Sequence, residues 1–116
     1  MPIAKGDIIL VPFPFTDLSE TKLRPAGVLW VDPKGQDVTL CFLSSQSIDR
    51  VTDDEFVILP SDLEFAQTGL KSPSKVRVAR IVTIERSLLQ RRLGQLSSQH
   101  LQQLDLCLVN AFQINS

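Results

Sequence analysis

The chain has 116 residues, 43% of them apolar, and its twelve Lys and Arg against thirteen Asp and Glu give a formal net charge of −1. This composition indicates a single folded domain that spans residues 1–116. It excludes both a disordered chain and a protein that binds polyanions through overall basicity. No apolar segment reaches the roughly 20 residues of a membrane-spanning helix and Met1–Lys5 has no apolar signal core, so we expect a soluble, cytoplasmic protein.

Apolar runs that end at proline, glycine or polar residues predict five short β-strands. These strands span Asp7–Pro12, Pro25–Val31, Val38–Leu43, Phe56–Leu59 and Lys75–Ile84. The turn sequence Asp32-Pro33-Lys34-Gly35 predicts that the second and third strands pair as a hairpin. In the fifth strand, the alternation that buries Val76 and Val78 would also turn Arg80 inward. This conflict predicts a bulge or a sharp bend near Ala79.

Two helices are predicted after the strands. Three leucines approach a helical spacing within Arg86–Leu93, and Gly94 follows where a left-handed helix cap would lie. For the second helix, Ser97 or Ser98 can cap the N-terminus. Its apolar residues recur at three- and four-residue steps and are expected to pack on the sheet: Leu101, Leu104, Leu108, Ala111 and Phe112. The pattern predicts a mostly β fold with a C-terminal helix, a small antiparallel β-barrel.

Two segments of the chain carry opposite charge. Asp49–Glu64 has six acidic residues and one basic residue, whereas Lys71–Arg92 has seven basic residues and one acidic residue. The small net charge therefore conceals a polarised surface. Either both segments are ordinary solvated faces, or the basic segment forms a wall that binds a phosphate chain.

The residue types exclude several kinds of active site. His100 is the single histidine, which excludes a two-histidine ribonuclease and a histidine-based metal cluster. We expect it on the surface of the last helix. No glycine-rich loop is followed by Lys-Ser or Lys-Thr, so a P-loop is also excluded. Cys41 and Cys107 lie inside apolar runs and are predicted to be buried free thiols.

The remaining candidate site combines an arginine with hydroxyl groups. Arg24 precedes Pro25, and a residue before proline is held extended, so its side chain leaves the backbone in a defined direction. The third strand ends in Ser44-Ser45-Gln46. A planar guanidinium beside serine hydroxyls suits a phosphate group. Alternatively, Arg24 pairs with Asp17 or Glu20 and only holds the loop between the first two strands.

Several sequence motifs occur together in one order. They are Gly6-Asp7 with the run to Asp17, Lys22-Leu23-Arg24-Pro25, Ser44-Ser45-Gln46, and Leu93-Gly94-Gln95-Leu96-Ser97. In this order and spacing, the sequence resembles the MazF/PemK family of toxin endoribonucleases over nearly its whole length. The resemblance implies an SH3-like (CcdB/MazF-type) β-barrel that forms a homodimer. It also implies cleavage of single-stranded RNA without a metal or other cofactor, and neutralisation by a cognate MazE-like antitoxin.

The resemblance assigns the catalytic roles to two residues. The family's functional pair is an arginine before the proline and a threonine or serine at the end of the third strand, and these fall on Arg24 and Ser44. Arg24 is then expected to bind the scissile phosphate and stabilise the transition state, while Ser44 hydrogen-bonds a phosphoryl oxygen. The 2′-hydroxyl of the RNA would be the nucleophile, giving a 2′,3′-cyclic phosphate and a 5′-hydroxyl.

Further residues are expected to contact the RNA beside this pair. They are Glu20, Lys22, Ser45 and Gln46. Arginine is a poor base, and Asp17 or Glu20 is the candidate to remove the 2′-proton. Exposed bases can stack on Phe13 or Phe15, although apolar residues beside a first strand are more often part of the core.

Two functions without catalysis stay open beside this hypothesis. One is a toxin of the same fold that inhibits DNA gyrase through protein contacts, as CcdB-like toxins do, although those toxins lack the arginine and hydroxyl pair. The other is a degenerate family member that serves only as an antitoxin-binding or regulatory module.

Overall fold

The computed structural model describes residues 2–13 and 22–115. Within these ranges, six strands form one antiparallel sheet: β1 (Asp7–Phe13), β2 (Lys22–Val31), β3 (Asp37–Ser44), β4 (Glu55–Ile58), β5 (Ser74–Glu85) and β6 (Arg91–Gln95). The strands lie side by side in the order β4-β5-β3-β2-β1-β6. The described residues also form two short 3₁₀-helices, Phe65–Thr68 and Arg86–Leu88, and one α-helix, α1 (Ser98–Phe112). The predicted class, a mostly β fold with a C-terminal helix, is confirmed.

The sheet curls into a half-open barrel, so both faces of its central strands are covered. Along β1, Ile8 belongs to the core beneath α1, whereas the next residue, Ile9, belongs to a second core on the opposite face. Both side chains are fully buried. A strand buried on both faces is apolar throughout rather than alternating, which explains the unbroken run Ile8–Val11.

The pairing of β3 with β5 contains the predicted bulge. Cys41 lies opposite Ile81, but its neighbour Phe42 lies opposite Arg77, so the three residues 78–80 have no partners on β3. The predicted hairpin of β2 and β3 is also confirmed, since Val31 pairs with Val38 across the turn. Bulges increase the local bend and twist of a strand, and this one lies where β5 passes from one core to the other.

The helix predicted over Arg86–Leu93 is wrong. Only Arg86–Leu88 is helical, as one 3₁₀ turn, and Arg91–Gln95 forms β6 against the edge of β1. Three leucines at near-helical spacing were too short a pattern to outweigh an available strand edge. Gly94 is not a helix cap: a Cβ on it would lie 2.1 Å from the carbonyl oxygen of Gln67. The glycine therefore allows β6 to pack directly on the first 3₁₀-helix.

Helix α1 begins and packs as predicted, except near its C-terminus. The hydroxyl of Ser97 accepts a hydrogen bond from the backbone N–H of His100 at 3.1 Å, which caps the helix. Leu104 and Cys107 are buried against the sheet, whereas Phe112, predicted to pack there, is 57% exposed. No helix in the described ranges is long and apolar enough to cross a membrane.

Both cysteines are free and buried, as predicted. Burial raises the pKa of the Cys41 thiol to about 12. Burial also raises the pKa of Cys107. Neither sulfur is therefore available as a thiolate in the folded protein at neutral pH.

Candidate functional site

Arg24 and Ser44 lie on neighbouring strands at the same end of the sheet. The register of β2 and β3 places Ala26 opposite Phe42, and continuing it by two residues brings Arg24 level with Ser44. Both side chains line the same two surface grooves, which meet between them. The pair predicted from separate segments of the sequence is thus brought together by the hairpin.

The larger groove, here called the aromatic groove, has a volume of about 590 Å³ and contains Phe13 and Phe42 in its lining. The two rings meet edge to face with their centroids 5.2 Å apart. The guanidinium carbon of Arg24 lies 5.9 Å from the centroid of Phe13, which is within cation–π range. Phe13 is 41% exposed, so it is a groove residue rather than a core residue. Its ring restrains the direction of the arginine.

The smaller groove, here called the serine groove, has a volume of about 330 Å³. Four serines of the described residues line it: Ser44, Ser45, Ser72 and Ser74. The Oγ of Ser44 accepts a hydrogen bond from the backbone N–H of Gln46 at 3.0 Å. Because that contact uses an oxygen lone pair, the hydroxyl proton of Ser44 stays available for an acceptor in the groove.

Among the described residues, the charged side chains that line both grooves are of one sign. Five basic residues of the described part of the chain line them: Arg24, Lys71, Arg77, Arg80 and Arg91. Among the described residues, no Asp or Glu lines either groove, and no carboxylate forms an ion pair with Arg24. Four of the five basic residues come from the basic segment Lys71–Arg92. The arrangement provides a surface for an anion chain rather than for a single charge.

Part of the basic segment is neutralised by Glu55 on β4. Its carboxylate lies 3.1 Å from Nε of Arg77 and 3.5 Å from Nζ of Lys75. Nζ of Lys75 also donates to the carbonyl oxygen of Arg50 at 3.0 Å. Burial raises the pKa of Glu55, but the backbone N–H of Thr52, Arg77 and Lys75 together outweigh that effect and lower it. Glu55 is therefore a part-buried anion that fixes Arg77 at the wall of the aromatic groove.

The family of the chain follows from a comparison with family models. The model of the PemK-like, MazF-like toxins of type II toxin-antitoxin systems matches residues 4–112. The chain belongs to this family. No curated protein matches the sequence of this toxin closely enough to count as a relative.

The fold of this toxin is similar to those of mycobacterial toxins. An endoribonuclease in complex with its cognate antitoxin, from a mycobacterial species, is 17% identical, with a TM-score of 0.74 over 99% of each chain. The Mycobacterium tuberculosis toxin MazF-mt6 is 23% identical, with a TM-score of 0.74 over 95% of this chain and 99% of the other. A further Mtb toxin is 28% identical, with a TM-score of 0.61 over 77% of this chain and 92% of the other.

The structure of this toxin brings some of the predicted site residues together and leaves others apart. Ser45 lines the serine groove next to the pair. Gln46 contributes its backbone N–H to Ser44, and its side chain lines neither groove. Lys22 is exposed at the start of β2, opposite Phe13, and also lines neither groove. The predictions for Asp17, Glu20 and Phe15 lie outside the described residues.

Several groove residues of the toxin were not assigned to the site from its sequence. They are Phe42, Lys71, Ser72, Arg80 and Arg91. The excess of basic residues in Lys71–Arg92 predicted a basic surface, but it did not indicate which of these side chains line the grooves. The prediction that His100 is a surface residue is wrong: it is buried. Its Nε2 lies 3.2 Å from a carboxylate oxygen of Asp62, and its ring stacks on Phe56.

Proposed function

We propose that this toxin is a metal-independent, sequence-selective endoribonuclease that cleaves single-stranded RNA, in particular mRNA. One observation carries the proposal: Arg24 and Ser44 lie together where two grooves meet, and the described side chains that line these grooves include basic residues and no acidic ones. A single-stranded RNA needs a path on both sides of the phosphate that is cut, and the two grooves offer it. The endoribonucleases of similar fold support the same reaction class.

In the proposed reaction, Arg24 and Ser44 hold one phosphodiester of the RNA. The planar fork of Arg24 binds two of its oxygens, and the Ser44 hydroxyl donates to a phosphoryl oxygen. The adjacent 2′-oxygen forms a bond to phosphorus as the bond from phosphorus to the 5′-oxygen breaks. The 2′-hydroxyl loses its proton to a base and the leaving 5′-oxygen gains one. The products are a 2′,3′-cyclic phosphate and a 5′-hydroxyl.

The rate gain in this mechanism comes from position and charge. The RNA supplies its own nucleophile, so the protein aligns the 2′-oxygen with the leaving oxygen and stabilises the charge that accumulates on the phosphoryl oxygens. Arginine is a poor base, and Asp17 and Glu20 are the candidates to remove the 2′-proton. Glu20, Lys22, Ser45 and Gln46 are proposed to contact nucleotides beside the cut, and exposed bases to stack on Phe13.

The proposed partners follow from the toxin family. A cognate MazE-like antitoxin would lay a partly disordered acidic segment along the grooves and cover Arg24, because the described lining carries basic residues and no acidic ones. The toxin would act in the cytoplasm as a homodimer. Its molar mass in solution at micromolar concentration tests this, since a value of 12.9 kDa would contradict the dimer.

Incubation with a long, weakly structured RNA in excess EDTA tests the activity. The parent protein is compared with Arg24→Ala and with Lys34→Ala, which removes the same charge in the exposed turn between β2 and β3. We expect discrete cuts with cyclic-phosphate ends from the parent and Lys34→Ala, and intact RNA from Arg24→Ala. Equal cleavage by Arg24→Ala would overturn the assignment of the pair. Intact RNA with folded parent protein would favour a non-catalytic toxin, and gyrase inhibition is then the next assay.

A further inference from the structure

The bulge in β5 determines where one arginine points. On β5, residues 78–80 lie between Arg77, which pairs with Phe42, and Ile81, which pairs with Cys41. Val78 is fully buried, and its N–H donates to the carbonyl oxygen of Asp54 at 3.1 Å.

The bulge keeps Arg80 out of the core. In a regular strand, Arg80 would share the face of Val76 and Val78, both of which are buried. A guanidinium there would lose its hydration, which is costly without a paired carboxylate. In the bulged strand Ala79 and Arg80 are both exposed and line the aromatic groove. Bulges beside functional sites commonly redirect a side chain in this way.

Arg80 also differs from its neighbour Arg77 in its partners. Arg77 is fixed to Glu55 at 3.1 Å, whereas no carboxylate of the described residues lies within ion-pair distance of Arg80. A second depression beside Arg80 does contain Asp54 and Glu55. Glu55 is occupied by Lys75 and Arg77, and Asp54 accepts a hydrogen bond from the Thr52 hydroxyl. Arg80 is thus exposed at the edge of the groove and has no carboxylate partner among the described residues.

We propose that Arg80 is a phosphate-binding residue that holds the RNA backbone next to the phosphate held by Arg24 and Ser44. The inference rests on the proposed function and adds to it a second anchor in the aromatic groove. A guanidinium can bind two oxygens of one phosphate, so it also fixes the strand's orientation. Because this neighbouring phosphate does not react, Arg80 contributes equally to binding of substrate and transition state.

Steady-state cleavage of one RNA oligonucleotide by Arg80→Gln, Arg80→Lys and Lys34→Gln tests the proposal. We expect Arg80→Gln to raise KM about tenfold with kcat nearly unchanged, since it removes uniform binding. Arg80→Lys keeps the charge but not the fork and is expected to lie between Arg80→Gln and the parent. Lys34→Gln removes a remote surface charge and should match the parent. Circular dichroism and thermal melting of each variant establish that it is folded.

The salt dependence of binding separates a phosphate contact from a structural effect. One phosphate contact with a single strand changes the slope of log binding constant against log salt concentration by about 0.7. The ratio of the parent's affinity to that of Arg80→Gln should therefore shrink about 2.6-fold between 50 and 200 mM salt. The probe is the same sequence with 2′-deoxyribose throughout, which lacks the nucleophile. An unchanged slope, or a fall in kcat with KM unchanged, would overturn the proposal while leaving the ribonuclease standing. If the parent neither cleaves nor binds RNA, the proposed function fails and the inference fails with it.

Discussion

Replacing Ser44 by alanine should abolish most of the cleavage without unfolding the toxin. The Ser44 hydroxyl accepts from the N–H of Gln46 at 3.0 Å, which leaves its proton free to donate to a phosphoryl oxygen. Loss of one such donor in a transition state costs about 100- to 1,000-fold in kcat, or about 2.7–4 kcal/mol. We therefore expect Ser44→Ala to reduce single-turnover cleavage by that factor.

The structure predicts a much smaller effect of Ser44→Ala on stability. Its hydrogen bond with the Gln46 N–H is exposed, so water can replace the hydroxyl, and the free energy of unfolding should fall by less than about 1 kcal/mol. Ser87→Ala is the matched control, because the Ser87 hydroxyl also makes one exposed hydrogen bond, to Glu85 at 3.2 Å, and lines neither groove. Its cleavage rate should equal that of the parent.

A third variant, Ser44→Thr, shows whether the hydroxyl itself matters. Threonine keeps the hydroxyl and suits a strand, so its single-turnover rate should stay within a few-fold of the parent. The assay follows a 5′-labelled RNA with enzyme in excess, and urea denaturation gives the stability of each variant. Cleavage by Ser44→Ala at the parent rate would refute the reasoning, and so would a Ser44→Thr variant as inactive as Ser44→Ala.

Three further predictions concern the fold around the site. Glu55→Gln should lower the free energy of unfolding by about 2–3 kcal/mol in urea denaturation, because the charges of Lys75 and Arg77 lose their partner. The pKa of Glu55 is lowered in the folded protein from its ordinary value of 4.5. The stabilisation by Glu55 is therefore complete at neutral pH and is lost as the pH falls through the pKa of the folded state. If the thermal stability of Glu55→Gln falls with acid as steeply as that of the parent, this prediction is wrong. Gly94→Ala should lower the free energy of unfolding by about 1–3 kcal/mol, because the added Cβ would lie 2.1 Å from a backbone carbonyl oxygen. An unchanged Tm would argue against the close packing of β6. Cys41 should not react with a thiol reagent at pH 8 until the protein is unfolded, because burial raises its pKa to about 12; rapid labelling of the native protein would count against the buried core.

Strands β1 to β5 and the last helix were predictable because their patterns are strong and local. The bulge in β5 also followed from sequence, since a regular strand would have buried Arg80. The strand β6 could not be predicted in this way. Its sequence Arg91–Gln95 has one partly buried leucine and a glycine, and it becomes a strand because β1 offers an unpaired edge. That edge exists only once the sheet has formed.

The candidate site was predicted in part, for a similar reason. The rigid position of Arg24 before Pro25 and the hydroxyls of Ser44-Ser45 are local features, and the family resemblance connected them. The other side chains of the wall come from separate places in the chain: Lys71 precedes β5, Arg80 lies in its bulge, and Arg91 begins β6. The positive charge of the segment was visible in the sequence, but the surface on which these side chains lie depends on the curl of the sheet.

Cleavage of an RNA with a single 2′-deoxynucleotide on the 5′ side of the scissile phosphate tests the central claim most directly. If the Arg24–Ser44 pair holds a phosphate for attack by the neighbouring 2′-hydroxyl, the toxin in excess EDTA should cut the all-ribose strand to a 2′,3′-cyclic phosphate and leave the substituted strand intact at that position. Cleavage of the substituted strand there would contradict the account, because the nucleophile would then have to be water.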